Sequence, residues 1–423
     1  MKKKIVTILA LLCFLMASFL GCTKAVDASA SLPTESSLPS QATQENIEES
    51  AQEGAQSIPK SVQKELSSGV AVNAQVKILP DVLPATLPSI KASLCRFNAE
   101  DVKRVLLNEA KIAQETEVET KDSVFEDASL HTYVTSDGQI LSVGEEHLTY
   151  CTSDWNYEDT MYFSPSPTSQ DYNGNAFQKG KELDFAKPNA CFDELKTVLQ
   201  ELGITVAGLF DCFVLDSETL AAEAEMAVNK RADALEGIRK DSVGNLLSRE
   251  EILEELSMPV FSSSRDCYYF QLSLSVAGNP ITREDSGSSF SGGYAAGSVI
   301  NAAYSQKGLV YLEIRNLYSG EEMGKEQACL NLDQALEALD NKYNSLILAG
   351  EYEVTEICFE YVPIGTGDLI HVTLTPAWRF LVNHTIEYTG KEDPSQVVEV
   401  NTNKFVFFNG LTGKEIVVDM GEI

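Results

Sequence analysis

Asp171, Asn173, Asn175 and Glu182 fall at positions 1, 3, 5 and 12 of a loop whose oxygens can wrap a calcium ion. Ala176 stands where the tight turn of such a loop takes glycine, and no clear helix precedes it. The same residues also read as a polar loop that uses Asn and Gly for its turns. The four histidines, His131, His147, His371 and His384, form no HExxH or HxH pattern. Glu145-Glu146-His147 offers oxygens and a nitrogen, but adjacent residues rarely converge on one ion, and zinc takes three or four converging ligands. The stretch from Ser286 to Tyr294 is rich in Gly and Ser, yet it lacks the Lys-Ser/Thr that closes a phosphate loop, so it reads as a flexible connection. No Gly-x-Ser-x-Gly nucleophile elbow is present. These residues assign no catalytic, cofactor-binding or metal-ligating set, and the expectation is a chain that is not an enzyme and carries no cofactor.

Cys22 is the residue with the clearest chemistry. Lys2, Lys3 and Lys4 precede an uncharged apolar run from Ile5 to Leu20, which ends in Gly21 and Cys22. The run is shorter than the roughly 20 residues a membrane-spanning helix needs. A short apolar core behind lysines is an export signal. Phe19-Leu20-Gly21-Cys22 resembles the lipobox of bacterial lipoproteins, with Phe19 where Leu is usual. That resemblance implies cleavage before Cys22 and acylation of its thiol. Each buried CH₂ contributes about 0.8 kcal/mol of membrane attachment, so several acyl chains hold firmly. The alternative is an ordinary secretory signal with a chance cysteine beside it. The reading therefore predicts a signal peptide over 1–21, lipidation at Cys22, and a body anchored by lipid at the extracytoplasmic face of the cell membrane.

The chain carries 32 Lys+Arg against 63 Asp+Glu, a net charge of −31. Loss of Lys2, Lys3 and Lys4 would take the mature protein to −34. Such a surface repels nucleic acid and anionic headgroups, and the expectation is that neither is a direct partner. Among nine cysteines, those beyond Cys22 are Cys95, Cys151, Cys191, Cys212, Cys267, Cys329 and Cys358, scattered and without a CxxC pair. An odd number cannot pair completely. They read as buried thiols acting as small hydrophobes, with one or two disulfides as the alternative after export.

Residues 22–66 are rich in Ser, Ala, Gln and Glu, without a sustained apolar period. Such a segment cannot bury enough surface to offset its ordering entropy, and it reads as a disordered tether. Beyond it, period-two alternation predicts strands at Val70–Ile78 and Tyr268–Val276. Asn98 before Glu100 and Asp101 predicts a capped helix. Asp137-Gly138 predicts a hairpin turn within Tyr133–Val143. Helices are expected from Phe192 to Leu202, stopped by Gly203, then from Ser217 to Lys240, and after a Ser248/Glu251 capping box. Asn331 and Gln334 predict a helix carrying Leu332, Leu336, Leu339, Tyr343 and Leu346. Strands follow at 352–362, 370–382 and 404–418, the last folded into a hairpin near Asn409-Gly410. The pattern predicts an α+β fold of antiparallel sheets, each covered by helices, and makes a doubly wound parallel sheet unlikely. Three domains are expected: an N-terminal one over 67–185, a middle one over 186–294, and a C-terminal one over 295–423.

In the C-terminal segment, Leu374-Thr375-Pro376-Ala377-Trp378-Arg379-Phe380 followed by Phe408-Asn409-Gly410-Leu411-Thr412-Gly413-Lys414-Glu415-Ile416 resembles PepSY-like modules. Gly410 stands at that module's usual Ala position, and the helix from Leu332 to Leu346 fits its helix. The layout is also similar to clostridial surface lipoproteins of unknown function and to extracytoplasmic regulators of sensor kinases. The resemblance implies a protein that binds or regulates an envelope partner, without catalytic residues to carry over. Pro376, Trp378, Asn409 and Gly413 match the motif. Read from chemistry alone they are structural: a large buried ring and a turn glycine. The alternative function is a solute-binding lipoprotein of a transport system.

Overall fold

The computed structural model describes residues 58–417, apart from 80–81, 121–122, 126–127, 156, 178–180, 241, 257, 285–294, 367, 369 and 390–396. Cys22, the export signal, most of the expected tether and the Gly/Ser stretch up to Tyr294 lie outside the described residues.

Strands β1 (Ser61–Glu65), β2 (Ala71–Ile78), β3 (Thr86–Leu87) and β4 (Ile90–Leu94) lead into helix α1 (Ala99–Leu106). β5 (Ile112–Glu119), β6 (Ser129–Thr135), β7 (Ile140–Val143) and β8 (His147–Cys151) follow, then α2 (Tyr157–Thr160), α3 (Pro188–Glu201), β9 (Val206–Leu215), α4 (Ser217–Leu235) and α5 (Arg249–Leu256). β10 (Cys267–Val276), β11 (Asn279–Pro280), β12 (Val299–Ser305), β13 (Gly308–Arg315), β14 (Tyr318–Met323) and β15 (Gln327–Ala328) precede α6 (Leu332–Asn344). The last strands are β16 (Glu351–Gly365), β17 (His371–Thr389), β18 (Val397–Asn409) and β19 (Glu415–Ile416).

The first large sheet runs β1-β2-β16-β17-β18-β19, with β4 pairing β17 and β14 pairing β4. The second runs β11-β10-β12-β13-β8-β7-β6-β5, with β9 on β10. β3 and β15 make a separate pair. These strand pairs are antiparallel except β2 with β16, which run parallel with Ala71 opposite Glu353 and Ile78 opposite Phe359. Neither large sheet is confined to one of the segments 67–185, 186–294 and 295–423: the first joins β1, β2 and β4 to β14 and β16–β19, and β13 pairs β8 in the second.

The expected α+β class, with each antiparallel sheet covered by helices, is corrected here: the fold is predominantly sheet. The physical reason lies in edge strands without a buried face and in loops that share the covering with helices. β5 is exposed along nearly its whole length, so no alternation marks it. On one face of β10, Tyr269 packs with Phe213 of β9 and with Phe163 and Phe177, two loop aromatics with ring centroids 4.8 Å apart. Leu220 of α4 joins them, so loop rings and a helix together cover this face.

Helices pack on part of each large sheet. α6 lays Leu332, Leu336, Leu339 and Tyr343 over Val72, Val354, Trp378, Phe380 and Phe408 of the first sheet. Its start is fixed by a reciprocal cap: Asn331 accepts from Gln334 N at 2.9 Å, and the Gln334 side chain accepts from Asn331 N. α1 and α3 pack Val102, Leu195 and Leu199 with Tyr268, Phe270 and Leu272 of the second sheet and with Ile90 and Leu374 of the first. Asn98 caps α1 as its sequence implied, accepting from Glu100 N and Asp101 N.

The motif residues of the C-terminal segment have structural roles. Trp378 is fully buried and its indole N–H donates to Leu330 O at 3.0 Å. Asn409 accepts from Leu411 N and Thr412 N, which turns the chain from β18 into β19. Gly413 sits at φ 71°, where a side chain is strained. A Cβ on Gly410 would lie 2.7 Å from the Phe359 ring, so the close packing at this turn admits glycine.

Candidate functional site

The densest set of buried charge lies where the two large sheets meet, among residues the sequence reading did not single out. Strand alternation on β16 puts Glu356, Cys358 and Glu360 on one face. β17 places Arg379 directly opposite Cys358. The Arg379 side chain is 2% exposed. Its guanidinium lies 3.4 Å from Glu284, 3.2 Å from Glu356 and 2.8 Å from Glu360. The Glu360 contact runs from Nε as a charge contact rather than an aligned hydrogen bond. Arg379 also donates to Cys358 Sγ at 3.0 Å and stacks over Phe405 at 4.5 Å.

The network extends on both sides. Lys77 of β2 reaches Glu356 at 2.6 Å and Asp211 of β9 at 3.0 Å, so it ties the first sheet to the second. Its ammonium lies 4.5 Å from the Phe210 ring centroid. Arg283 donates to the carbonyls of Leu272 and Ile300 and to Asn301 Oδ1, and Asn301 in turn donates to Glu313. Backbone carbonyls thus satisfy a guanidinium that the fold has taken out of water.

Burial sets the protonation of this cluster. It would push the Lys77 ammonium down, but Glu356 and Asp211 hold it above its ordinary value. It pushes Arg283 down to about 10 and the Cys358 thiol well up. Glu284 is raised to about 7, by burial first, with Glu360 and Glu356 adding repulsion and Arg379 opposing. Its side chain keeps 24% of its surface accessible, so water reaches a carboxyl otherwise surrounded by protein. Asp211, Glu284, Glu356 and Glu360 surround Lys77 and Arg379, with Arg283 and Glu313 linked through Asn301. Of these acids, Glu284 is the one whose raised value places it to take a proton as pH falls.

A folded-state value above the ordinary carboxyl range means the folded chain holds this proton more tightly than the unfolded one. The stability that Glu284 contributes is full below its unfolded value near 4.5 and is lost as pH rises through about 7. Glu284→Gln should therefore raise the urea midpoint at pH 8 and flatten its pH dependence between about 5 and 8. An unchanged profile would show that Glu284 is already ionised.

The residues singled out from sequence are dispersed. Asp171 lies 3.7 Å from Lys230 and is 83% exposed. Asn173 donates to Tyr162 O and Glu223, while Asn175 accepts from the Tyr172 hydroxyl and Glu182 pairs with Lys187. Their oxygens do not converge in the described loop. Glu145 faces Arg96, Glu146 accepts from Ser123, and the His147 ring is pushed down in pKa by burial. His131 sits beside Ser129, His371 beside Asp368 and His384 against Ala349 O, on separate stretches of sheet. Among the described residues, no group of three His, Cys, Asp or Glu is arranged to hold a metal ion. Cys95, Cys151, Cys191, Cys212, Cys329 and Cys358 are reduced, and burial pushes each thiol up.

The ion-pair cluster did leave a signal in the sequence. Glu356 and Glu360 flank Cys358 at period two inside an apolar strand, and Arg379 sits between Trp378 and Phe380. Charges at one parity of two neighbouring core strands must meet each other.

No family model matches this chain, and no curated protein sequence matches it. Among solved structures, an uncharacterized protein from Eubacterium rectale is similar, with a TM-score of 0.62 and 15% identity. The alignment covers 85% of this chain and 94% of that one. The likeness is one of fold and extends across most of both molecules.

Proposed function

We propose that this chain is an extracytoplasmic lipoprotein, held at the cell membrane by acyl chains on Cys22, that works by binding and regulating an envelope partner rather than by catalysis. The observation that carries the reading is the order Lys2-Lys3-Lys4, an apolar run from Ile5 to Leu20, then Gly21-Cys22. No helix among the described residues is long and apolar enough to cross a membrane. The regulatory part of the reading rests on the resemblance of the segments around Trp378 and Asn409 to PepSY-like modules. A strongly acidic surface favours a protein partner with basic character over nucleic acid.

Cys22→Ser tests the anchor. Cells expressing the native chain should incorporate labelled palmitate into it, with the protein in the membrane pellet. The variant should lose the label and move to the soluble fraction. Equal label and equal partition for the two chains would overturn the proposal.

A further inference from the structure

We propose that the side chains of Lys77 and Asp211 join in the folded chain as an intramolecular amide, a covalent cross-link between the two large sheets made with the help of Glu356. This goes beyond the binding role proposed above and does not depend on it.

Three strands bring the groups together. Lys77 of β2 lies opposite Cys358 of β16 in the parallel pair, and Glu356, two residues before Cys358, shares its face. Asp211 comes from the second sheet. β9 is irregular at this point: Asp211 lies opposite Gln271 and Leu209 opposite Leu272, so Phe210 is an extra residue. Such a bulge re-aims side chains that a regular strand would send to opposite faces. The Phe210 ring centroid lies 4.5 Å from Lys77 Nζ, and Asp211 Oδ2 lies 3.0 Å from the same nitrogen. Glu356 Oε2 is 2.6 Å from it, while Glu356 Oε1 accepts from Arg379 at 3.2 Å. The Lys77, Asp211 and Glu356 side chains keep 26%, 13% and 15% of their surface accessible.

An amine and a carboxyl group in water form a salt and do not condense. This site differs in three ways. Two sheets hold the reacting groups in contact, which replaces a chance encounter. Burial disfavours the charged pair, and passing one proton from Lys77 to Asp211 removes both charges at once. The Phe210 ring limits the water that would hydrolyse the product. Glu356 and Asp211 hold the Lys77 ammonium above its ordinary value, so this proton transfer sets the rate and the bond forms slowly after folding. The free amine then attacks Asp211 Cγ. Glu356 takes a proton from the nitrogen and passes it to the departing hydroxyl. A C–N bond forms, a C–O bond breaks, one water leaves, and Glu356 ends as it began. Arg379 fixes the other oxygen of Glu356 and leaves Oε2 aimed at the nitrogen, the place of a proton carrier. The amide N–H still faces Glu356, while two residues 134 positions apart become one covalent frame.

Peptide mapping of the purified full chain tests the bond. After denaturation and trypsin, the peptide containing Lys77 should be uncut at that residue and joined to the peptide containing Asp211, at their summed mass less one water. The linked form should dominate. Lys77→Arg keeps the positive charge and should give only separate peptides, as should Asp211→Ala. In chain refolded from denatured inclusion bodies, Glu356→Gln should slow linkage by about 100-fold or more, the scale of a lost proton carrier. The map of the native chain needs no variant to fold. Lys77 and Asp211 peptides recovered only apart overturn the inference. A link that fragmentation assigns to Lys77 and Glu356 overturns it as well, and linkage at the native rate in Glu356→Gln overturns the role of Glu356. Each of these failures would leave the Cys22 fractionation untouched.

Discussion

Replacing Arg379 with alanine should lower the free energy of unfolding by about 3–5 kcal/mol, the scale for removing one partner of a buried charge set. The substitution leaves Glu284, Glu356 and Glu360 facing one another without the cation they surround. Glu356 retains Lys77, but Glu360 is 3% exposed and loses its nearest positive neighbour. Urea denaturation at pH 7.5 measures the loss. Removing both charges separates the ion-pair effect from packing. Arg379→Met with Glu360→Leu should recover much of the stability, since apolar replacements of a buried pair are often neutral or better. If the double variant were as unstable as Arg379→Ala, the loss would lie in the contacts of Arg379 with Glu284 and Glu356 and not in its pair with Glu360. The partial loss should also depend on pH. Lowering pH protonates the acids that Arg379→Ala strands, so the defect of that variant should shrink from pH 8 toward pH 5.

Trp378→Ala should cost a similar amount, about 3–5 kcal/mol, for a different reason. The ring is fully enclosed, meets Phe359 edge-on at 5.0 Å between centroids, and donates to Leu330 O. Alanine leaves a cavity under α6 and an unpaired carbonyl at the residue just before the Asn331 cap. Trp378→Phe keeps most of the volume and should cost about 1–3 kcal/mol, the scale of a buried acceptor left without its donor. The chain has two tryptophans, so Trp155, stacked on Tyr311 at 4.5 Å, remains as the fluorescent reporter in both variants. A cost below about 1 kcal/mol for Trp378→Ala would mean that α6 collapses onto the vacated space.

Elements with a local cause were legible from residue order. Tyr268 to Val276 alternates and is a central strand; Asn98 and the Asn331/Gln334 pair start helices where their side chains can cap them. Gly203 and Gly138 take positive φ after a helix and in a hairpin, as their neighbours required. Elements whose cause is tertiary were not legible. β5 shows no apolar face because it has none, whereas the helix expected from Ser217 to Lys240 is present as α4, capped by Asp216. The fold class was misjudged because most elements are strands, several of them edge strands without an apolar face, and loop aromatics such as Phe163 and Phe177 share the covering of a sheet face. The ionic cluster was hidden by composition. In a chain with 63 acidic residues, Glu284, Glu356 and Glu360 look like solvated surface until a partner strand brings Arg379 between them.

The parallel pairing of β2 with β16 has a consequence for how the molecule is made. A ribosome releases β2 early and β16 only near the end of synthesis, since chains emerge N-terminus first. Until then the Ala71–Ile78 strand has one neighbour, β1, and an open side that its eventual partner has yet to reach. Long-range parallel pairing of this kind is intrinsically slow to nucleate. Truncated translation products should therefore hold a loose, chaperone-dependent first sheet, and cooperative protection of Val72 and Ala74 should appear only once the last strands have left the exit tunnel.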